Sequence, residues 1–169
     1  MIPNDVIKAI IDRRSIRKYT KDHIDSDNLH MILEAGRWAP SGLNNQPWSF
    51  IVARGAEIKN SLSTLTHYSR IIKQCDLCIC VMYDIPNGYN RDKDLMSIGA
   101  CIQNMLLAAH SLGIGSVWLG EILNRKSEVN ALLAVGDDFE LMAVIALGCP
   151  AQTPRSSRKQ LESLILKEV

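Results

Sequence analysis

The stretch Pro40-Ser41-Gly42-Leu43-Asn44-Asn45-Gln46-Pro47-Trp48 decides how the chain divides. It stands between a helical pattern and a strand pattern, and it contains two prolines and a glycine. Because proline removes a backbone donor and glycine permits a positive φ, neither element continues through it. The side chains of Ser41, Asn44, Asn45 and Gln46 can all donate and accept hydrogen bonds. Such groups suit a planar ring with alternating C=O and N–H edges, although the same residue types also make ordinary loops.

The length and composition are those of an ordinary globular protein. The chain has 169 residues, 47% of them hydrophobic and 22% charged, and we expect residues 1–169 to form a single domain. The formal net charge is +1, so no overall field favours nucleic acid or an anionic membrane. Region 1–14 lacks a signal-peptide pattern, and the apolar stretches 77–83 and 141–149 are too short to span a bilayer. These features predict a cytoplasmic protein without a nucleic-acid or membrane partner.

The five cysteines are an odd number, which argues against a disulfide framework. Cys75 and Cys78 have the C-x-x-C spacing of a redox pair or of half a metal site. No second C-x-x-C and no H-x-x-x-H pair accompanies them, so we assign no metal ligand. The run from Cys75 to Tyr83 is typical of a buried strand, where cysteine acts as a small apolar residue. This pattern favours a structural role for both thiols.

Apolar periodicity predicts that helices and strands alternate along the chain. Helices are expected after the caps Asn4, Ser26 and Ser127, over 57–75 with a break near His67, and over 92–112 with Gly113 at its end. Strands are expected over 48–53, 76–84, 115–119 and 139–147, and a last short apolar helix near 161–165. The helix over 92–112 has apolar or small residues nearly all round, which predicts burial nearly all round. The alternation indicates a layered α and β domain, but it leaves the strand order open.

Two basic segments are candidates for an anion site. In an extended stretch, Arg13, Ser15 and Arg17 project to one side. Arginine makes forked contacts with phosphate, and serine adds a hydroxyl donor. A second patch, with Arg155 and Arg158, follows the turn at 148–150. Together with the polar loop, these segments suit a ligand with an anionic end and a planar, polar-edged ring, whereas no Rossmann or Walker A fingerprint is present.

Taken in this order, the motifs resemble those of the nitroreductase family of flavin mononucleotide (FMN) enzymes. The resemblance extends over nearly the whole chain and rests on segments 13–17, 40–48, 113–120 and 148–158. It implies an α+β three-layer sandwich in which helices flank a central, mostly antiparallel sheet. It also implies an intertwined homodimer that binds two FMN molecules at its interface, each contacted by both chains.

The resemblance assigns cofactor binding to Arg13, Arg14, Ser15, Arg17, Pro40, Ser41, Gly42, Asn44, Gln46, Leu119, Gly120 and Arg158. Arg13, Ser15 and Arg158 would hold the phosphate, and Arg17 would lie near the pyrimidine edge of the ring. The loop from Pro40 to Gln46 would come from the partner chain. Leu119 and Gly120 would lie against the ring face, with a backbone N–H near the flavin N5. No side chain is assigned a catalytic role, because the cofactor supplies the chemistry.

The implied activity is hydride transfer from NADH or NADPH to nitroaromatic, quinone or similar planar acceptors by a ping-pong mechanism. The alternatives are a specialised dehydrogenase or reductive dehalogenase of this family, and a flavin-binding or interaction protein without turnover. The chain is short for the family and its connection over 84–92 is brief, which predicts an open site. Ser156 and Ser157 stand where some relatives carry lysine, so phosphate binding near the C-terminus is expected to rest mainly on Arg158.

Overall fold

The computed structural model describes residues 4–169. Its α-helices are α1 (Asp5–Asp12), α2 (Ser26–Arg37), α3 (Ala56–Ser63), α4 (Ser69–Gln74), α5 (Arg91–Ser111) and α6 (Lys126–Leu132). Its strands are β1 (Trp48–Ala53), β2 (Leu77–Asp84), β3 (Gly115–Leu119) and β4 (Phe139–Gly148), and short 3₁₀ turns occupy Gly42–Asn44, Glu121–Arg125 and Leu161–Leu164. No helix in this part of the chain has the length and apolar character needed to cross a membrane.

The four strands form one sheet in the order β1-β2-β4-β3. All three neighbouring pairs are antiparallel, so each strand runs opposite to the strand beside it. A bulge between Val81 and Met82 shifts the register of β2 against β4. The predicted antiparallel sheet is confirmed, and the structure supplies the strand order that the periodicity left open.

Helices cover both faces of the sheet. Side chains of successive strand residues point to opposite faces, so one strand contributes to two cores. In β2, Leu77, Ile79 and Val81 belong to the core shared with α2 and α5. The intervening Cys78, Cys80 and Met82 belong to the core shared with α3, α4 and α6. This arrangement confirms the predicted three-layer sandwich.

Two of the predicted helix caps are wrong. The side chain of Asp25, rather than that of Ser26, caps α2 by accepting the Asn28 N–H at 2.7 Å. Helix α6 begins at Lys126, directly after a 3₁₀ turn, and has no side-chain cap, so Ser127 does not fill that position. The predicted break near His67 is confirmed, because α3 and α4 are separate helices on either side of it. Gly113 follows the end of α5 with φ 73°, a conformation that glycine adopts readily.

Helix α5 is buried on one side only. Ile98, Ile102 and Met105 are buried in the core, whereas Met96 is 69% exposed. Burial nearly all round, as predicted, is not reached in the single chain, where the residues outside this side are intermediate or exposed. Helix α1 has no buried residue at all, although Val6 and Ile10 are apolar. These exposed apolar positions leave surface that a single copy of the chain does not cover.

The segment after α1 lies along the edge of the sheet. Ser15 forms a parallel bridge with Ser116 of β3, and the Ile16 N–H donates to the Ser116 carbonyl at 2.9 Å. Tyr19 forms an antiparallel bridge with Pro150, just beyond β4. The basic segment is therefore held against the ends of two strands that lie far from it in sequence.

Two glycines make this close approach possible. A Cβ at Gly115 would lie 2.7 Å from Cγ2 of Ile16, and a Cβ at Gly148 would lie 2.7 Å from Cδ1 of Tyr19. Real side chains do not approach to these distances, so any larger residue would push the segment off the sheet. Gly115 and Gly148 thus fix where the arginines beside Ser15 are placed.

Candidate functional site

The two basic segments meet in one pocket of about 180 Å³, here called the arginine pocket. Its lining consists of Arg13, Arg14, Ser15, Arg17, Pro154, Arg155, Ser156 and Arg158. Five of these side chains are cationic, and none is a carboxylate. The structure thus brings together the predicted N-terminal cluster and Arg158, which are far apart in sequence.

Arg13 is a cation of the arginine pocket whose side chain has no partner in the described part of the chain itself. Within residues 4–169 it has neither a carboxylate within 4.0 Å nor a side-chain hydrogen bond. Burial lowers the pKa of its guanidinium, and the neighbouring cations of Arg158 and Arg14 lower it further. A desolvated cation among like charges is stabilised by an anion, and a phosphate would satisfy its forked donors.

Two other cations of the arginine pocket, Arg14 and Arg158, are partly engaged by the chain itself. Nη1 of Arg14 donates to the carbonyls of Ile11 and Arg13, at 2.5 and 2.9 Å. Nη1 of Arg158 donates to the Ser157 carbonyl at 2.8 Å and to Oγ of Ser156 at 3.2 Å. These bonds orient the guanidinium groups and leave further donors free on each.

The C-terminal side of the arginine pocket differs from the expectation. Arg158 was expected to act nearly alone, but Arg155 and Ser156 also line the pocket. The serine hydroxyl therefore occupies a position from which it can donate to an anion, alongside two guanidinium groups. Sequence reasoning placed Arg155 after the turn but could not show that it turns back toward Arg13.

The end of β3 lies on the same sheet edge as the arginine pocket. From Ser116, which pairs with the pocket segment, to Gly120 is roughly 13 Å at about 3.3 Å per residue. Leu119 is only 2% exposed and its side chain belongs to the core, so only its backbone can face a ligand. Gly120 is exposed, and a Cβ built there meets nothing within 4 Å, so its backbone is open to close approach.

The polar loop adopts a conformation that most residues avoid. Leu43, Asn44 and Gln46 have φ values of 55°, 55° and 48°, in the left-handed region. Each such residue costs about 1–3 kcal/mol unless its surroundings enforce the conformation. Two bonds hold the loop from within: Oγ of Ser41 accepts the Gln46 N–H at 3.0 Å, and Nε2 of Gln46 donates to the Asn44 carbonyl at 3.2 Å. Strain of this kind is typical of functional loops.

A buried carboxylate, Asp94, anchors the loop, and sequence reasoning missed it. Oδ1 accepts from Nδ2 of Asn45 at 2.9 Å. Oδ2 accepts from the Tyr83 hydroxyl at 3.1 Å and from the backbone N–H groups of Tyr89 and Asn90 at 3.0 and 3.1 Å. Burial alone would raise the pKa of Asp94, but these hydrogen bonds outweigh it and hold the pKa below its usual value. The only signal in the sequence was an acidic residue near a helix start, which is common.

Gly42 packs closely against the side chain of Tyr89, whose backbone N–H donates to the anchor Asp94. A Cβ at Gly42 would lie 2.1 Å from Oη of Tyr89 and 2.7 Å from its Cε1. Pro40 and Ser41 precede this contact, with Ser41 half-buried. The predicted loop residues are therefore gathered at the N-terminal end of β1, against the start of α5.

The loop and the arginine pocket lie at diagonally opposite corners of the sheet. The basic segment around Ser15, which lines the arginine pocket, flanks β3 beside Ser116. Ser116 in turn pairs with Leu147 of β4. The loop leads into Trp48, which pairs with Tyr83, and Tyr83 pairs with Glu140 at the other end of β4. Four strand spacings and the length of β4 separate them by about 30 Å. One chain therefore does not bring its own loop to its own arginine pocket.

Comparison with known proteins places the chain in a family. A family model described as the nitroreductase family matches residues 10–68 and 60–149. A crystal structure described as a candidate nitroreductase in complex with FMN from Desulfovibrio desulfuricans is 44% identical, with a TM-score of 0.95, and the alignment covers 99% of this chain and 98% of that one. The chain belongs to the nitroreductase family, which confirms the predicted resemblance.

Curated relatives agree with this assignment. A protein of Methanothermobacter thermautotrophicus, described as a candidate NADH dehydrogenase/NAD(P)H nitroreductase, is 35% identical over 157 residues, covering 89% of this chain and 80% of the relative. The NADPH-flavin oxidoreductase of Vibrio harveyi is 30% identical over 163 residues, covering 89% of this chain and 68% of the relative. The predicted class, an oxidoreductase, is confirmed by this membership.

Proposed function

We propose that the protein is an FMN-dependent oxidoreductase that passes electrons from NADH or NADPH to nitroaromatic, quinone or similar planar acceptors. The observation that carries the proposal is the arginine pocket, where five arginines and two serine hydroxyls gather without a carboxylate. The residues present fit an FMN phosphate, because a desolvated Arg13 beside Arg158 needs an anion. Residues 1–169 would form a single domain that contributes both the arginine pocket and the polar loop, and the composition favours a cytoplasmic location.

In this proposal each group of residues has a distinct task. Arg13, Ser15 and Arg158 hold the phosphate, and Arg14 supports them from the pocket wall. Arg17 is exposed and follows Ser15 along the extended segment, so its charge is available to the ring edge on which negative charge develops. The open backbone at Gly120 faces the ring. When bound, FMN supplies the electron and hydride transfer, so the chain needs no nucleophile of its own.

A ping-pong order follows from an open site. The connection between β2 and α5 spans only residues 85–90 and carries no helix that could cover a ring. The nicotinamide nucleotide and the acceptor would therefore use one exposed surface in turn. Parallel lines in double-reciprocal plots of rate against donor concentration would support this order, and intersecting lines would contradict it.

The decisive test of the function is the visible spectrum of the purified protein. Loading with FMN should give a yellow protein that is bleached by NADH or NADPH without oxygen and regains its colour when a quinone or nitroaromatic is added. Absence of FMN binding would overturn the proposal at the cofactor. Binding without bleaching would instead favour a flavin-binding protein without turnover.

We further propose that the active unit is a homodimer in which one chain's loop completes the other chain's arginine pocket. The diagonal separation within a chain requires a second copy if Asn44 and Arg17 are to serve one flavin. Apolar surface is available for this interface: Trp38 is 73% exposed, Leu43 is 86% exposed, and α1 has no buried residue. An obligate interface of this kind buries more than about 2,000 Å².

Mixed dimers test the shared site. Arg17→Ala damages a site through the chain that contributes the arginine pocket. Asn44→Ala damages a site through the chain that contributes the polar loop. In a heterodimer both lesions fall on one site and the other site is intact, so about half the wild-type activity per dimer should return. The chains should be co-expressed with different tags, with each homodimeric variant as control. Inactive heterodimers, or a fully active monomer in sedimentation velocity, would contradict the arrangement.

A further inference from the structure

A second cavity, of about 580 Å³, lies apart from the arginine pocket and has no part in the function proposed above. Segment 18–23 forms one wall, and α4 with the start of β2 forms the other. We call it the lysine cavity, because its cationic lining consists of Lys18, Lys21, Lys59, Arg70 and Lys73. Its volume is that of a site for a small organic ligand.

The acids of the lysine cavity are already occupied. Asp76 accepts from Nδ1 of His23 at 2.6 Å and from the Ile24 N–H at 3.0 Å. It also lies 3.6 Å from Nη1 of Arg54. Asp22 accepts from the Thr20 hydroxyl at 2.7 Å. Within residues 4–169, neither carboxylate lies within 4.0 Å of a lysine side-chain nitrogen.

Most of the cations of the lysine cavity lack an acidic partner. Within residues 4–169, Lys18, Lys21, Arg70 and Lys73 have no carboxylate within 4.0 Å. Lys59 donates instead to the backbone carbonyls that follow α4, at 2.6 and 2.8 Å. The balance of charge is positive, which favours a ligand that carries negative charge.

The wall of the lysine cavity holds one of two adjacent thiols. Cys75 borders the cavity, although it is only 2% exposed, and its Sγ donates to the Ile72 carbonyl at 3.1 Å. The same Sγ lies 3.5 Å from Sγ of Cys78, which is fully buried. Cys78 is the second residue of β2, whereas Cys75 lies between α4 and the strand with an extended backbone. The expectation that the whole run is strand therefore holds for Cys78 but not for Cys75. A thiol at such a junction can shift without breaking the sheet.

The pKa values of the two thiols are shifted in opposite directions, and these shifts favour thiol–disulfide exchange. A hydrogen bond from Cys78 lowers the pKa of Cys75 despite its burial, and the charge of Lys59 lowers it further. Donating that bond, together with burial, raises the pKa of Cys78. Cys75 is thus suited to attack as a thiolate, and Cys78 to follow as the resolving thiol.

We propose that Cys75 and Cys78 are a thiol–disulfide exchange pair that reacts with small anionic disulfides bound in the lysine cavity. The Cys75 thiolate attacks one sulfur of the bound disulfide, forming a mixed disulfide and releasing one thiolate. The Cys78 thiol then loses its proton and attacks Sγ of Cys75, which releases the second thiolate. Overall, the two cysteine thiols lose two electrons and two protons, and one disulfide is reduced to two thiolates.

The geometry permits this bond with little movement. The two sulfurs must approach from 3.5 Å to about 2.05 Å, and the extended residue Cys75 can supply that shift. Cys80 lies in the same strand but is not hydrogen-bonded to another thiol within residues 4–169 and does not line the cavity, which makes it a matched control. Cys149 is partly exposed and must be removed as a background thiol.

The test uses the full chain carrying Cys149→Ser and the dianionic disulfide dithiobisnitrobenzoate as the probe. This parent should release two thiolates per chain in its fast phase and retain no adduct, and peptide mass mapping should find the Cys75–Cys78 link. Cys78→Ser should release one thiolate and keep an adduct, Cys75→Ser should lose the fast phase, and Cys80→Ser should behave as the parent. Because the mapping is done on the parent, it does not depend on whether the variants fold.

Charge reversal tests the role of the lysine cavity. Lys73→Glu should slow the reaction with dithiobisnitrobenzoate about fivefold at low salt and leave that with neutral dithiodipyridine unchanged. Lys93→Glu, an exposed charge change on α5, should change neither rate. A fast phase that persists in Cys75→Ser, a lasting adduct on the parent, or equal slowing of both probes would overturn the proposal. None of these readouts depends on bound FMN.

Discussion

Two clusters of cations at different ends of this protein show how a fold uses positive charge. Arg91 and Lys126 both contact Glu140, with Nη1 of Arg91 at 2.7 Å from one carboxylate oxygen. Arg13 and Arg158, in the arginine pocket, gather without any carboxylate in the lining. The first cluster is neutralised within the chain and joins α5 to β4. The second has no carboxylate in its lining, and this difference supports the proposal that it binds an anion.

The largest expected effect is a loss of FMN affinity on replacing an arginine of the second cluster. Arg13→Ala should weaken FMN binding by roughly 10- to 150-fold, because a charge-assisted hydrogen bond contributes about 1.5–3 kcal/mol. Binding of riboflavin, which lacks the phosphate, should change much less. Titration of the apoprotein by flavin fluorescence measures both affinities. Equal losses for the two flavins would place Arg13 away from the phosphate.

Asp94 is a buried carboxylate whose hydrogen-bond donors belong to the chain itself, so its replacement should reduce stability rather than FMN affinity. Asp94→Asn should lower the free energy of unfolding by about 2 kcal/mol even without FMN, because an amide cannot replace a carboxylate that accepts four hydrogen bonds. Chemical denaturation of the apoprotein measures this loss. Asp92→Asn is the control, because Asp92 is exposed and lies two residues before Asp94 in α5, and it should leave stability unchanged. A stable Asp94→Asn protein with weakened FMN binding would show that Asp94 serves the ligand instead.

The same carboxylate gives a smaller effect that depends on pH. Hydrogen bonds hold the pKa of Asp94 below 3.8, so its contribution is complete above that value and is lost as pH falls through the folded-state pKa. The stability difference between wild type and Asp94→Asn should therefore shrink as pH is lowered from about 5 to about 3. Denaturation at several pH values checks this sign. A difference that grows on acidification would mean that Asp94 is protonated in the folded protein.

The smallest effect belongs to the neutralised cluster. Arg91→Ala should reduce stability by about 0.5 kcal/mol and leave FMN affinity unchanged, since half-exposed ion pairs contribute little. Measured beside Arg13→Ala, it is the matched control for the loss of one arginine. If Arg91→Ala also weakened FMN binding, the presence of an acidic partner would not distinguish structural cations from binding ones.

Much of this fold follows from local sequence patterns. Strands β1 and β3 begin and end where apolar patterns and glycine placed them, because bordering residues such as Pro47 and Gly120 interrupt regular structure. Caps were harder to predict, since Asp25 and Ser26 are both good caps and only the backbone geometry decides between them. Strand order could not be predicted, because it depends on contacts between residues far apart in the chain.

The candidate site, like the fold, could be predicted only where local sequence patterns determine it. The N-terminal arginines were visible as a dense local cluster, but the inward turn of Arg155 depends on the path of the chain after Pro150. Asp94 could not be recognised, because a carboxylate in a first helical turn normally faces water. Its burial arises from Asn45 and Tyr83, which no local pattern connects to it.

The close contacts of Gly115 with Ile16 and of Gly148 with Tyr19 also have a kinetic consequence. These contacts form only once β3 and β4 have paired, and the partners of the basic segment 15–19 lie about a hundred or more residues away in sequence. Contacts that close such long loops form late, so the arginine segment should order after the folding transition state. A ligand held by that segment would then leave the refolding rate nearly unchanged and act by slowing the rate at which the native chain opens.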